Sequence, residues 1–201
     1  MAVVRGIVLI ILAVSLAIAY VALPTRRTLY SSAAITPLKM AAEANPLDRL
    51  TLSLSQTNTS PPTVRVTTTN ESDRPFTIIT YSSPLDSVAL ALDLLSITPD
   101  GAAEPLKLRT IQASRLWPPD PDSLVELEPG ASATNDLVLK KPEVPMGKLG
   151  KKATVFVQGR WMGVFARAKD KISTDDLETM ASQPDAFEGD FMSKSIEIRI
   201  D

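Results

Sequence analysis

The chain has 201 residues, 44% of them hydrophobic, and contains neither cysteine nor histidine. Those two absences exclude disulfides, serine–histidine and cysteine–histidine nucleophilic catalysis, and Cys/His zinc sites. The formal charge is −2; Arg5, Arg26, Arg27, Lys39 and Glu43 are the charged residues of the first 45, which leaves 17 bases against 22 acids in the rest. A mildly acidic domain without a basic stripe argues against nucleic-acid binding.

Residues 1–45 read as a hydrophobic appendage with its apolar core at 7–23. Ile7 to Leu23 carries no charge and is broken only by Ser15. As a helix it would span ~25 Å, the short end of what crosses a bilayer. Three readings stand side by side. It is a single-pass signal anchor, whose orientation the flanking Arg5 and Arg26-Arg27 leave open. Or it is a cleaved signal peptide, with Arg5 as n-region, Ile7 to Leu16 as h-region and Ala17-Ile18-Ala19 as cleavage site. Or translation starts at Met40 and the domain is cytosolic. Two sequons, Asn58-Thr59-Ser60 and Asn70-Glu71-Ser72, favour the secretory pathway and make Asn58 and Asn70 candidate glycan acceptors in turns. The missing cysteine pulls toward the cytosol.

Residues 46–201, about 155 in number, suffice for one core without covalent staples. Period-two alternation dominates them. Leu50, Leu52 and Leu54 face inward with Thr51, Ser53 and Ser55 outside; Val64 and Val66 repeat the pattern after Pro61-Pro62. Phe76, Ile78 and Thr80 share a face. Further strands are expected at 92–98, 106–112, 124–128, 133–139, 152–158 and 160–166. The last strand sets Ile196, Ile198 and Ile200 against Ser195, Glu197 and Arg199. Turns are expected at Asn70 to Asp73, Pro99-Asp100-Gly101 and Pro129-Gly130. Two short helices are plausible: Pro84 to Ala91, and Thr174 to Ala181 capped by Ser173 with Asp175 and Asp176 in its first turn. The fold class is all-β, an antiparallel sandwich with one or two short helices behind an N-terminal hydrophobic helix.

For a binding surface, the aromatic and arginine-rich set Arg115, Trp117, Arg160 and Trp161 stands out, since Arg and Trp are enriched at interface hot spots. The competing reading buries each tryptophan as a plug with the arginine packed on it. The acidic stretch Asp170, Asp175, Asp176, Glu178, Asp185, Glu188 and Asp190 offers oxygen ligands, but lacks an EF-hand ladder and reads as a solvated loop. Asp120, Asp122, Glu126 and Glu128 are the densest carboxylates beside an aromatic, with Glu126 and Glu128 on one strand face. They are the only basis for a hydrolase of the glycosidase kind.

Four stretches within residues 47–166 stand out: Asn70 with Phe76-Thr77-Ile78-Ile79, Ser83-Pro84-Leu85-Asp86, Leu127-Glu128-Pro129-Gly130-Ala131-Ser132 and Gln158-Gly159-Arg160-Trp161. They resemble fungal immunoglobulin-like β-sandwich proteins and, more distantly, the pro-domain of the deuterolysin metalloproteases. The resemblance implies a non-catalytic module, since a chain without histidine cannot form the His-Glu-x-x-His zinc helix. The expectation is therefore a protein-binding module, membrane-tethered or secreted. It needs no cofactor, metal or nucleic acid. A trans-acting protease inhibitor or pro-domain-like chaperone is the alternative, and a carboxylate hydrolase the outlier.

Overall fold

The computed structural model describes residues 45–201, so the helix expected over 7–23, its cleavage site and Met40 lie outside the described residues. Nine strands and one short α-helix build the domain. They are β1 (Leu50–Thr59), β2 (Pro62–Asn70), β3 (Phe76–Ile79), β4 (Leu95–Pro99), β5 (Leu124–Leu127), β6 (Ser132–Val138), β7 (Lys152–Phe165), α1 (Thr174–Glu178), β8 (Ala186–Met192) and β9 (Ile196–Arg199). Every strand pair is antiparallel. One sheet has the order β1-β2-β6; in the other, of six strands, β3, β4, β8 and β9 pair with β7, and β5 pairs with β3.

β7 is the organising strand. Its first half lies between β4 and β9, and its second half between β3 and β8. Two strands were expected over these residues; they are one, because Gly159 does not break the ladder. A Cβ at Gly159 would stand 2.7 Å from Cζ of Phe191, so the glycine there makes room for an aromatic ring. A bulge between Trp161 and Val164 then inserts one residue opposite β8. It keeps Trp161 and Val164 both on the main core, with Phe165 on the opposite face.

Alternation accounts for the sandwich. Leu50, Val64, Val66 and Leu137 of one sheet meet Phe76, Ile78, Ile97, Val155, Val157 and Ile198 of the other in a single cluster. The strand β3 is buried on both faces, which is why its sequence is a solid Phe-Thr-Ile-Ile run. Ile79 points away from the sandwich into a second, smaller cluster with Tyr81, Leu124, Phe165, Leu177 and Met180. That cluster is what α1 covers. Ser173 caps α1 as expected: its hydroxyl accepts from the Asp176 amide at 3.2 Å while the Asp176 carboxylate accepts from the Ser173 amide at 2.9 Å. The Ser173 amide and hydroxyl, both donating to the Asp176 carboxylate, hold it below the usual carboxylate range.

Two expected elements are corrected. Residues 106–112 form no strand: Leu108 is buried, but the segment joins no ladder. Pro84 to Ala91 is a succession of turns, not a helix. Its amides reach mostly three residues back, as from Asp86 to Ser83 and Ala89 to Asp86, and Asp93 closes the series at φ 63°. Pro84 has no N–H to contribute, and Asp86 spends its carboxylate on local amides, so an i→i−4 ladder does not propagate.

One sheet edge is closed by a side chain. Gln56, at the β1 bulge, accepts from the Arg199 amide at 2.9 Å and returns its own amide to the Arg199 carbonyl. This pairing imitates a backbone partner and blocks the β9 edge. On the outer face of the first sheet, Arg65 grips Asp136 with two bonds of 2.7 Å across β2 and β6. The Arg65 bond holds the Asp136 carboxyl below its ordinary value. A carboxyl depressed in the folded state adds stability above the unfolded pKa, near 4, and loses it as pH falls through the folded value. Asp136→Asn is therefore expected to cost stability at neutral pH and progressively less below about pH 4. Urea midpoints of both proteins across that range check it.

Candidate functional site

Of the four residues expected to make a binding surface, Trp161 is corrected: it is 1% exposed and belongs to the core. Its ring lies 4.8 Å from that of Phe191 at 51°, a tilted aromatic pair on adjacent strands. The parity of Val155, Val157 and Trp161 along β7 carried that information. Arg160, one residue earlier, points outward and is occupied by β8 acids, Glu188 at 3.2 Å and Asp190 at 3.7 Å. Arg160 and Trp161 thus lie on opposite faces of one strand.

Arg115 and Trp117 sit elsewhere, on the long connection between β4 and β5. The Arg115 guanidinium bonds the carboxylate of Asp86, which is 3% exposed, and stacks 4.8 Å above the Tyr81 ring. Asp86 also accepts the amides of Ser82 at 2.8 Å and Val88 at 3.1 Å. Sequence reasoning placed Asp86 at a helix start and missed this ion pair, since the partners are 29 positions apart. Arg115→Ala strands a buried carboxylate on two backbone donors. We expect a loss of about 1–2 kcal/mol in urea unfolding, with Arg115→Lys recovering part of it.

Beyond that anchor the connection exposes apolar bulk. Leu116 is 75% exposed, and Trp117 and Ile111 are each 49% exposed. Leu106, Arg109 and Ile111 donate their amides to Ile97, Glu143 and Ala91 at 2.7, 2.9 and 3.0 Å. The segment is therefore tied down along its first half by the backbone and at Arg115 by the side chain. Among the described residues, neither Lys107 nor Arg109 has an acidic partner, and no acid occurs between positions 105 and 119.

The other candidates resolve into structural roles. Asp120 caps the 3-10 turn Pro121–Ser123 by accepting the Ser123 amide at 2.9 Å. Glu126 accepts the Lys169 amide at 2.7 Å, and Glu128 is exposed in the turn after β5, so these acids do not converge. In the acidic stretch, Asp176 and Asp185 flank Arg167, and Asp170 pairs with Lys171. Among the described residues no three acids come together as a cation site. An open cleft of about 740 Å³ lies beside the β2–β3 turn, with Phe76 and Phe187 in its walls and Arg49, Arg74, Asp73 and Asp185 around it. Asp73 pairs with Arg74 and Asp185 with Arg167, so the charges of the rim largely answer one another.

The two sequons differ sharply. Asn58 is exposed near the end of β1, not in a turn, with its amide donating to the Ser60 carbonyl. Asn70, expected in a turn, is fully buried at the end of β2, and both its amide hydrogens are taken by the carbonyls of Arg74 and Leu127 at 2.8 Å. The folded domain has no room for a glycan on Asn70, and that expectation is corrected.

Two antiparallel sheets packed face to face around one core define a β-sandwich. An immunoglobulin-like domain model matches residues 49–200, and the chain belongs to that family. No curated protein matches the chain.

Proposed function

We propose that this chain is a non-catalytic protein-binding β-sandwich module, membrane-tethered or secreted. The observation that supports it most is the Leu116–Trp117 pair. Bulky apolar side chains are held out in solvent by a fixed arginine rather than folded into the core, which is the arrangement of interface anchors. Rigid presentation lowers the entropy lost on binding. The test is capture of partners by cross-linking in native lysate, followed by comparison with the Leu116→Ala/Trp117→Ala protein. Retained melting temperature with lost capture is the expected result; unchanged capture overturns the assignment of this surface.

The location rests on the uncharged run at 7–23 and on the exposure of Asn58. Mass spectrometry of the native protein is expected to find an N-terminus at or before Thr28 and, if a glycan is present, to find it on Asn58. A start at Met40 overturns the membrane or secretory assignment.

A further inference from the structure

We propose that residues 112–116 are a preformed strand that accepts an extended apolar and acidic segment of a partner protein by strand addition. The proposal rests on the reading of the chain as a protein-binding module and names how the partner is held. Residues 105–116 contain no turn, bend or helix, so the chain runs extended over a length that a simple connection rarely keeps. The three backbone bonds that hold it come from Leu106, Arg109 and Ile111. From Gln112 to Leu116, no backbone N–H or C=O has a protein partner among the described residues. An extended row of free donors and acceptors is a template for another strand.

The side chains fit the same reading. Arg115 is turned onto Asp86 and Tyr81, and Ala113 is half-buried, whereas Gln112, Ser114 and Leu116 are exposed. That is the inward–outward alternation of a strand lying on the body of the domain. Pairing through the backbone gives affinity without sequence preference, so the flanking chemistry sets the partner. Leu116, the apolar residue of the outward set, calls for an apolar side chain. Lys107 and Arg109, unpaired on a stretch without acids, call for carboxylates and disfavour two copies meeting through this stretch. Two other strand edges carry a side-chain partner, β9 at Arg199 from Gln56 and β5 at Leu124 from Lys169, whose amino group donates to the Leu124 carbonyl at 2.8 Å.

The experiment uses the full chain in detergent micelles with short synthetic peptides. One alternates valine and glutamate, one alternates valine and lysine, and the third is the valine–glutamate peptide N-methylated at every amide, so that neither edge can donate to a strand. Amide hydrogen exchange is read residue by residue. The valine–glutamate peptide is expected to slow exchange across residues 112–116 by about tenfold or more, with the other two peptides without effect. Ser114→Pro, which removes a free N–H and keeps an extended backbone, is expected to abolish the protection. Equal action of the N-methylated peptide, protection confined to another strand, or self-association that covers 112–116 overturns the proposal. Loss of partner capture in the Leu116→Ala/Trp117→Ala protein without peptide protection of 112–116 overturns strand addition alone and leaves the binding module in place.

Discussion

Trp161→Ala is expected to destabilise the domain by about 3–5 kcal/mol, a large share of the ordinary total of about 5–15 kcal/mol. The side chain is one of the largest fully buried groups in the molecule and stands at the β7 bulge, where the ladder to β8 is already one residue out of step. Collapse of the neighbours into the vacated space is opposed by how they interlock. Phe191 packs against Trp161 and over Gly159, while Leu47 fills the place of a side chain at Gly189, the residue paired with Trp161. A cavity bounded by such groups relaxes poorly, which puts the cost at the upper end for a large-to-small change. Trp161→Phe keeps the aromatic contact and is expected to lose less than half as much. Trp117→Ala removes the other tryptophan from a half-exposed site and is expected to shift stability by less than about 0.5 kcal/mol. Urea unfolding followed by far-UV circular dichroism separates the two. A Trp161→Ala protein as stable as the parent would mean that the ring is not in the core.

These residues show how far the sequence carries. Strands whose two faces see different solvents declare themselves by alternation, and β1, β2, β6 and β9 are legible for that reason. β3 is half legible, because Phe76 and Ile78 give the sandwich face while Ile79 serves a second cluster that only the placement of α1 creates. The same alternation over 106–112 misleads. It reports that Leu108 is buried, yet a strand also needs a neighbour at ladder distance, and that depends on chain brought back from Ala91 and Glu143. In the candidate site, composition brought Arg115 and Trp117 forward, and they do lie together on one connection. It also brought Arg160 and Trp161 forward as a pair, although adjacent residues of a strand must face opposite ways. Asp86 was hidden because an ion pair across 29 positions leaves no local trace.

Asn70 is the position where local sequence says one thing and the fold another, and its removal carries the second large effect. Asn70→Ala is expected to cost about 2–4 kcal/mol. The Asn70 side chain donates to the carbonyls of Arg74 and Leu127 and accepts from the amide and hydroxyl of Ser72 at 2.9 and 2.7 Å. Its backbone donates to Ala131 at 3.0 Å and accepts from Gly130 at 2.8 Å. One buried residue therefore joins the end of β2, in the first sheet, to the turn before β3 and the turn after β5, in the second. Alanine takes the donor from the buried Leu127 carbonyl and the acceptor from the Ser72 amide and hydroxyl, while the Arg74 carbonyl keeps the Ser72 hydroxyl. Asn70→Asp is the sharper test. It sets a carboxylate oxygen against those two carbonyls, so it is expected to be at least as damaging as alanine at neutral pH. Burial beside acceptors raises the pKa of such a carboxyl, and protonation supplies one donor. The sign follows: a raised folded-state pKa favours folding at low pH, so the Asp variant regains stability relative to the alanine variant as pH falls. Urea midpoints of the two variants measured from neutral pH down to about pH 4 check this. A parallel pH dependence for both would show that Asn70 does not donate to Arg74 and Leu127.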